Sequence, residues 1–447
     1  MTQAATAARN GRQPAVAWWS TFIGGVIENY DFAIYAAASA TILGPLFFSK
    51  ATPEIAVVLS FMTLAIGYAA RPIGAILFGH IGDRVGRKST MIMTLIIMAI
   101  ATVLVGFLPT AAEIGDAAPI FLIVLRLLQG VAVGGEWGGG VALATEHATA
   151  KRRALFGAST SSGAAMGFAV GYGVFALVAW ITGDELVTWG WRIPFWSAAI
   201  LFVFAIWMRL RVQESPLMKG VLADGSQKVR VPLGVVLRYH WRAVLIGLAF
   251  AGGELGFQQV MQGFAVSYGT STLGFPTAAV LVATTIPTAI NACLIPFAGM
   301  LADRFGRRKV MLVALSLQLV NAVIVWPLIG TGVYLLFFLA FLSVYCVHAF
   351  AYSPQAGLLT EMFPTNVRYT GISVAYQIGA LIGGLGPLIS SAIYAAGGGI
   401  LGVALVMAGF VVMGLVGGFF APRRKDIDLA AAGERNVVPA GETVSTA

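Results

Sequence analysis

The sequence predicts an all-α integral membrane protein of twelve transmembrane helices arranged as two pseudo-symmetric six-helix halves. Three observations carry that expectation. Of 447 residues, 58% are hydrophobic and 11% charged, with a mean hydropathy of +0.85, whereas soluble domains run near half apolar and a quarter charged. Twelve windows reach the ~20 apolar residues that a bilayer-spanning helix needs: approximately 17–41, 56–79, 89–108, 119–145, 155–181, 191–210, 243–268, 276–300, 309–328, 332–360, 369–395 and 398–421. A glycine-rich charged motif occurs once in each half of the chain.

The elements follow in order. Residues 1–15 form a tail holding Arg9 and Arg12; the apolar run after it is too long for a signal-peptide core and lacks a cleavage site, so it reads as a retained helix. Six windows fill 16–210. The polar stretch 211–242 reads as a linker with a short surface helix, and six more windows fill 243–421. Residues 422–447 mix charge, Ala and Gly and read as a disordered tail. Assigned alternately, the loops place nearly all Lys and Arg on one side, leaving only Lys50 and the boundary residue Arg192 opposite. Basic loops mark the cytoplasmic face, so both termini are expected inside a cell inner membrane. The net charge of +9 is therefore a topology signal and not a nucleic-acid footprint. Cys293 and Cys346 lie in apolar windows and predict no disulfide. No H-E-x-x-H pair and no serine-nucleophile motif occur, and only four His are present, which argues against an enzyme, a metal or a cofactor.

The repeat pairs "GHIGDRVGRKS" (79–89) with "GMLADRFGRRK" (299–309). Gly79 matches Gly299, Asp83 Asp303, Arg84 Arg304, Gly86 Gly306 and Arg87 Arg307, all at one offset. A second echo pairs Glu146 and Arg153 after the fourth window with Glu361 and Arg368 after the tenth. Glycines permit the tight turn, while the acids suit helix N-termini and the arginines helix C-termini or partner carboxylates. Asp83, Arg84, Arg87, Asp303, Arg304, Arg307, Glu146, Arg153, Glu361 and Arg368 are accordingly read as gating charges that link the halves in one state and separate in another.

Ionisable residues inside a membrane face the bundle interior and mark pathways or proton relays. Here they are Glu28 and Asp31 in the first window, Arg71 in the second, Arg126 and Glu136 in the fourth, Glu254 in the seventh and His348 in the tenth. Glu28 and Asp31 are three apart and share a helix face; two carboxylates that close in a low dielectric resist carrying two charges, so one retains a proton. Arg126 shares a face with Gln129 but lies about 15 Å from Glu136 along one helix, so it is read as the partner of a first-window acid. Glu28, Asp31, Arg126 and Glu136 are the expected proton-coupling set. Gly134/Gly138 and Gly135/Gly139 read as close-packing positions. In the second half Glu254, Gln258 and Gln262 form one polar stripe and His348, Tyr352 and Gln355 another, without paired charge. With Tyr35, Arg71, Gln129, Tyr376 and Gln377, and with Asn291 ranked behind them, they are the expected substrate contacts.

The G-x-x-x-D-R-x-G-R-[KR] loops, the twelve windows and "RLLQG" (126–130) resemble the major facilitator superfamily. "ENYDF", "RPIGAILFGHIGDRVGRK", "RLLQGVAVGGEWGG", "WGWRIPF" and "EMFPTNVRYTG" are similar to its metabolite:proton symporters, over roughly residues 16–421. Glu254, His348 ahead of "SPQAGLLTEMF" and Tyr376-Gln377 look most like the shikimate branch. The resemblance implies symport of a small organic acid by alternating access, driven by the proton gradient without a cofactor, in a monomer. Its alternatives are a dicarboxylate, a zwitterionic osmolyte, or an uncoupled facilitator or exporter of the same fold. Asn29 stands where the family usually has an aromatic, which points to a shift in substrate preference.

Overall fold

The computed structural model describes residues 13–51, 53–146, 148–211 and 232–423. Most of the expected tails and of the expected linker lie outside them, and the first helix starts at Gln13, inside the expected N-terminal tail. Twelve long helices form the bundle: α1 (Gln13–Thr41), α2 (Pro53–Val85), α3 (Arg87–Val105), α4 (Ala117–Glu146), α5 (Arg153–Thr182), α6 (Ile193–Arg211), α7 (Trp241–Ser271), α8 (Thr277–Phe305), α9 (Arg307–Gly330), α10 (Tyr334–Met362), α11 (Arg368–Gly384, continued by Gly386–Ile393) and α12 (Gly399–Phe420). Among the described residues ten segments are long and apolar enough to cross a membrane, and one of them, Thr365–Phe420, holds both α11 and α12. Helix α1 falls below that measure, carrying the polar run Glu28, Asn29 and Asp31. Each apolar window falls on one of these helices. In the linker, a short helix at Pro232–Tyr239 precedes α7.

Within each half, small residues set the spacing. Gly67 and Gly74 on α2 meet Gly130 and Val131 on α4, and Gly134 meets the α2 backbone at Arg71 and Gly74. A side chain at Gly74, Gly130 or Gly134 would strike backbone and one at Gly67 the Arg126 side chain, so α2 and α4 lie closer than Leu-lined helices can. Gly135 and Gly139 likewise receive the rings of Phe78 and Tyr369. Gly86 and Gly306 turn the duplicated loops with φ of 115° and 103°, a region only glycine occupies without strain.

Between halves, α5 packs on α8 and α2 on α11, so each half supplies the same pair of helices to the seam. Helix α7 is not a uniform α-helix: Val260–Ala265 winds as a π-turn, a local widening that often accompanies function. It follows Gln258 and Gln259 directly, which re-aims the helix just beyond the point where it borders the centre of the molecule. Prolines at 72, 287, 296, 327 and 354 interrupt α2, α8, α9 and α10, tolerated because neighbouring helices cover the freed backbone.

Candidate functional site

A narrow cavity with room for about two waters lies on the seam. The first half lines it with Glu28, Tyr68, Arg71 and Trp137, the second with Gln258, Gln259, Tyr352 and Tyr376. Helix α2 presents Tyr68 and Arg71 one turn apart. The Arg71 guanidinium lies over the rings of Phe32 (3.9 Å) and Tyr68 (4.2 Å), and no carboxylate pairs with it among the described residues. Glu28 Oε2 has no hydrogen-bond partner there either. The roof is aromatic: Trp137 from α4 stacks on Tyr376 from α11 with centroids 3.4 Å apart, and the Tyr376 and Tyr352 hydroxyls are 2.9 Å apart. Tyr68 Oη accepts a hydrogen bond from Gln259 on the opposite half. A cation, a carboxylate, three phenols and the amides of Gln258 and Gln259 around one centre suit a small molecule that carries both charge and hydroxyl groups.

Asp31, one turn beyond Glu28, points away from the cavity into the first half. Its Oδ1 accepts from Thr102 (2.8 Å) and Gln129 (2.9 Å), and its Oδ2 faces Arg126 at 3.5 Å. Arg126 also donates to Gln129 Oε1 (3.0 Å) and lies over the Tyr35 ring at 3.8 Å. All of these groups are fully buried. A charge pair so buried persists only because its remaining lone pairs and protons are satisfied nearby.

Two further buried pairs stand outside the cavity's lining, the second with its His348 ring centroid 5.2 Å from that of Tyr352. Glu136 pairs with Arg209 on α6 and accepts from Thr94 at 2.9 Å. Glu254 on α7 pairs with His348 on α10, whose Nδ1 lies 3.1 Å from the Asn291 amide. The Asn291 amide also donates to Tyr345 O at 2.6 Å.

At the end of the bundle that carries the duplicated loops, the halves are tied crosswise. Glu146 pairs with Arg368 at 2.8 Å, and Glu361 with Arg153 at 3.4 Å. Because Glu146 matches Glu361 and Arg153 matches Arg368 in the repeat, each half's acid holds the other half's arginine. Thr145 and Thr360, equivalent at the same offset, face one another at 3.1 Å, which puts the pseudo-dyad between them. Asp303 accepts from the backbone N–H of Ala154 (3.1 Å) and Leu155 (3.0 Å) at the start of α5, where the helix dipole favours an anion. Arg307 bridges Asp303 (2.6 Å) and Glu361.

Residues 18–219 match the family model described as sugar (and other) transporter, and residues 257–444 match that of the major facilitator superfamily. The inner membrane metabolite transport protein YhjE of Escherichia coli is 38% identical over 81% of this chain and 84% of its own length. The chain belongs to the major facilitator superfamily. The shikimate transporter of E. coli is 33% identical over 83% of this chain and 86% of its own length. The proline/betaine transporter of Salmonella typhimurium is 30% identical over 89% of this chain and 81% of its length. In fold, this facilitator matches the proton:xylose symporter XylE bound to 6-bromo-6-deoxy-D-glucose, with a TM-score of 0.79 at 18% identity over 95% of this chain and 99% of that one. It is a multi-pass membrane transporter of metabolites and not an enzyme.

Of the expected substrate contacts, the facilitator's cavity gathers Arg71, Gln258, Tyr352 and Tyr376, and of the expected proton-coupling acids it gathers Glu28. The others stand elsewhere. Tyr35 and Gln129 serve the Asp31–Arg126 cluster, with Tyr35 bonded to Thr63. Glu254 and His348 face each other inside the second half, which corrects the expectation of stripes whose ionisable groups are unpaired. Gln355 is buried with both amide atoms unpartnered, and Gln377 donates weakly to Val133 O at 3.4 Å. Glu28 and Asp31 do not share a site: a step of three on a helix turns them about 60° apart, enough to put one in the cavity and the other in the core. Glu136 is tied to Arg209 near the end of α6. Arg304 is exposed over the Phe305 ring at 5.4 Å and joins no carboxylate among the described residues, so it takes no part in the crosswise ties. The side chains of Asp83, Arg84 and Arg87 lie outside the described ones. Sequence reasoning missed Tyr68, Trp137 and Gln259. Tyr68 shares the Arg71 face at i and i+3, and Trp137 is the sole large residue in "GGEWGGG".

Proposed function

We propose that this transporter imports a small organic acid, shikimate or a related hydroxylated or aromatic carboxylate, together with protons by alternating access. Arg71 is the observation that carries the reading. A guanidinium in a seam cavity, stacked on two rings and in contact with no carboxylate oxygen among the described residues, is built to take a carboxylate bidentately. Tyr352, Tyr376 and Gln258 supply hydrogen bonds for ring hydroxyls, and Trp137 a flat apolar face. The similarity to the shikimate transporter supports the same class.

Asp31 is the proposed proton carrier. Ionised, it is held by Thr102, Gln129 and Arg126; a proton removes the charge that Arg126 faces and loosens α1 from α4. One proton moving with a neutral substrate draws on ~2.3 kcal/mol per 100 mV and ~1.36 kcal/mol per pH unit. A monoanion with one proton is electroneutral and keeps only the pH contribution, so a second proton on Glu28, beside Arg71, restores the electrical one. The crosswise ties act as the gate, and the two halves rock about the central site. The basic loops support a cytoplasmic location for both termini and for this gate. The transporter works as a monomer in the inner membrane and needs no cofactor.

A zwitterionic osmolyte is the second reading, favoured by one observation: Glu28 Oε2 faces the same cavity unpartnered and suits an ammonium while Arg71 takes the carboxylate. Binding of labelled shikimate, proline and betaine to purified protein separates the two. The acid reading expects shikimate to bind and Arg71→Gln to weaken it by about tenfold to a hundredfold, the ~1.5–3 kcal/mol of a hydrogen bond to a charged group. An equal loss for the methyl ester of shikimate would refute a carboxylate at Arg71.

A further inference from the structure

The first turn of α9 divides its cations. Arg307 turns inward to Asp303 and Glu361, while its neighbours, each about 100° further round, turn outward. Arg308 donates to Gly418 O (3.0 Å) and to Phe419 O, closing the C-terminal end of α12. That role is inherited from the duplication, because the matching Lys88 donates to Leu210 O at 2.8 Å at the end of α6. Lys309 has no such explanation. Its counterpart in the first half is Ser89, it is exposed, and no carboxylate pairs with it among the described residues. Arg423, exposed just beyond α12, is in the same position.

Arg308, Lys309 and Arg423 line one open cleft of about 460 Å³, and no acidic residue lines it with them among the described residues. From this cleft an apolar groove of about 450 Å³ continues along the membrane-facing side of α8, α9 and α10, sharing Phe305, Lys309 and Val313 with it and running on over Leu317 and Phe350. We propose that cleft and groove together form a binding site for one anionic phospholipid. Lys309 and Arg423 hold the phosphate with Arg308 behind them, and an acyl chain lies along the groove. Charge complementarity selects the headgroup, since basic pockets between membrane helices attract anionic lipids. Continuity selects a lipid over a soluble anion, which has no use for a groove lined by Leu317 and Phe350. The site touches the loop that holds Arg307, so an occupant sits against the gate without entering the transport path.

The test uses the full chain, purified, stripped of lipid and offered equal amounts of phosphatidylglycerol and phosphatidylcholine with matched acyl chains, with retained lipid read by native mass spectrometry. The wild type retains the anionic lipid preferentially. Replacing Lys309→Ser and Arg423→Gln lowers that preference roughly fivefold for each cation, about twenty-fivefold together. Arg242→Gln, an exposed cation outside the cleft, leaves it unchanged, and Val313→Trp lowers retention of the lipid with all three cations intact. Equal retention of the two lipids by the wild type would overturn the proposal. So would an equal loss in Arg242→Gln, which would mean diffuse surface charge, or displacement of the lipid by inorganic phosphate at matched concentration.

Discussion

Glu146→Gln tests the crosswise gate most sharply. The Glu146 and Arg368 side chains are fully buried and 2.8 Å apart, and Arg368 Nε donates to Thr360 O and Phe363 O at 3.2 Å. An amide in place of the acid keeps the shape but removes the negative charge that the buried guanidinium faces. Removing one partner of a buried pair costs about 3–5 kcal/mol. Only the closed arrangement bears that cost, because parting the halves returns Arg368 to water. At the lower figure the open population rises about a hundredfold relative to closed. Spin labels at the exposed positions Lys151 and Arg304, one on each half, report the separation in a chain with Cys293 and Cys346 replaced by Ser. The variant moves the distance distribution toward longer values. Adding Arg368→Gln removes the stranded charge and restores part of the short population, since paired neutral groups are tolerated where a lone charge is not. An unchanged distribution in Glu146→Gln would refute the account of these residues as a gate.

Trp137→Ala opens the roof over Tyr376 and weakens substrate binding about tenfold or more without unfolding the protein, as measured by equilibrium binding beside thermal unfolding. His348→Ala leaves apparent substrate affinity within about threefold but lowers stability by about 3 kcal/mol or more, because it strands Glu254 within the second half; denaturation and uptake kinetics check the two arms. Gly134→Leu forces a side chain into the α2 backbone and abolishes a folded, monodisperse protein, which size-exclusion chromatography reports.

The span count and halves were legible because hydropathy and the repeat report them directly: "GDRVGRK" and "ADRFGRR" mark equivalent turns whatever surrounds them. The repeat also named Glu146, Arg153, Glu361 and Arg368. It could not name their partners, since equivalence under a pseudo-dyad leaves open whether an acid meets its own half's arginine or the other's. The tie of Glu136 to Arg209 was not legible because the two lie on different helices and no spacing links them. Glu254 and His348 sit 94 residues apart on different helices, and no periodicity links them. Helical spacing grouped Glu28 with Asp31, yet 60° of rotation is the difference between cavity and core. The π-turn in α7 leaves no compositional trace in "VMQGFA".

Accumulation of labelled shikimate in proteoliposomes under an inward proton gradient, wild type beside Asp31→Asn, tests the central claim most directly. The account predicts wild-type accumulation that collapses on adding a protonophore, and an Asp31→Asn variant that exchanges substrate across the membrane but no longer concentrates it. Full gradient-driven accumulation by Asp31→Asn, or wild-type accumulation indifferent to the protonophore, would contradict it.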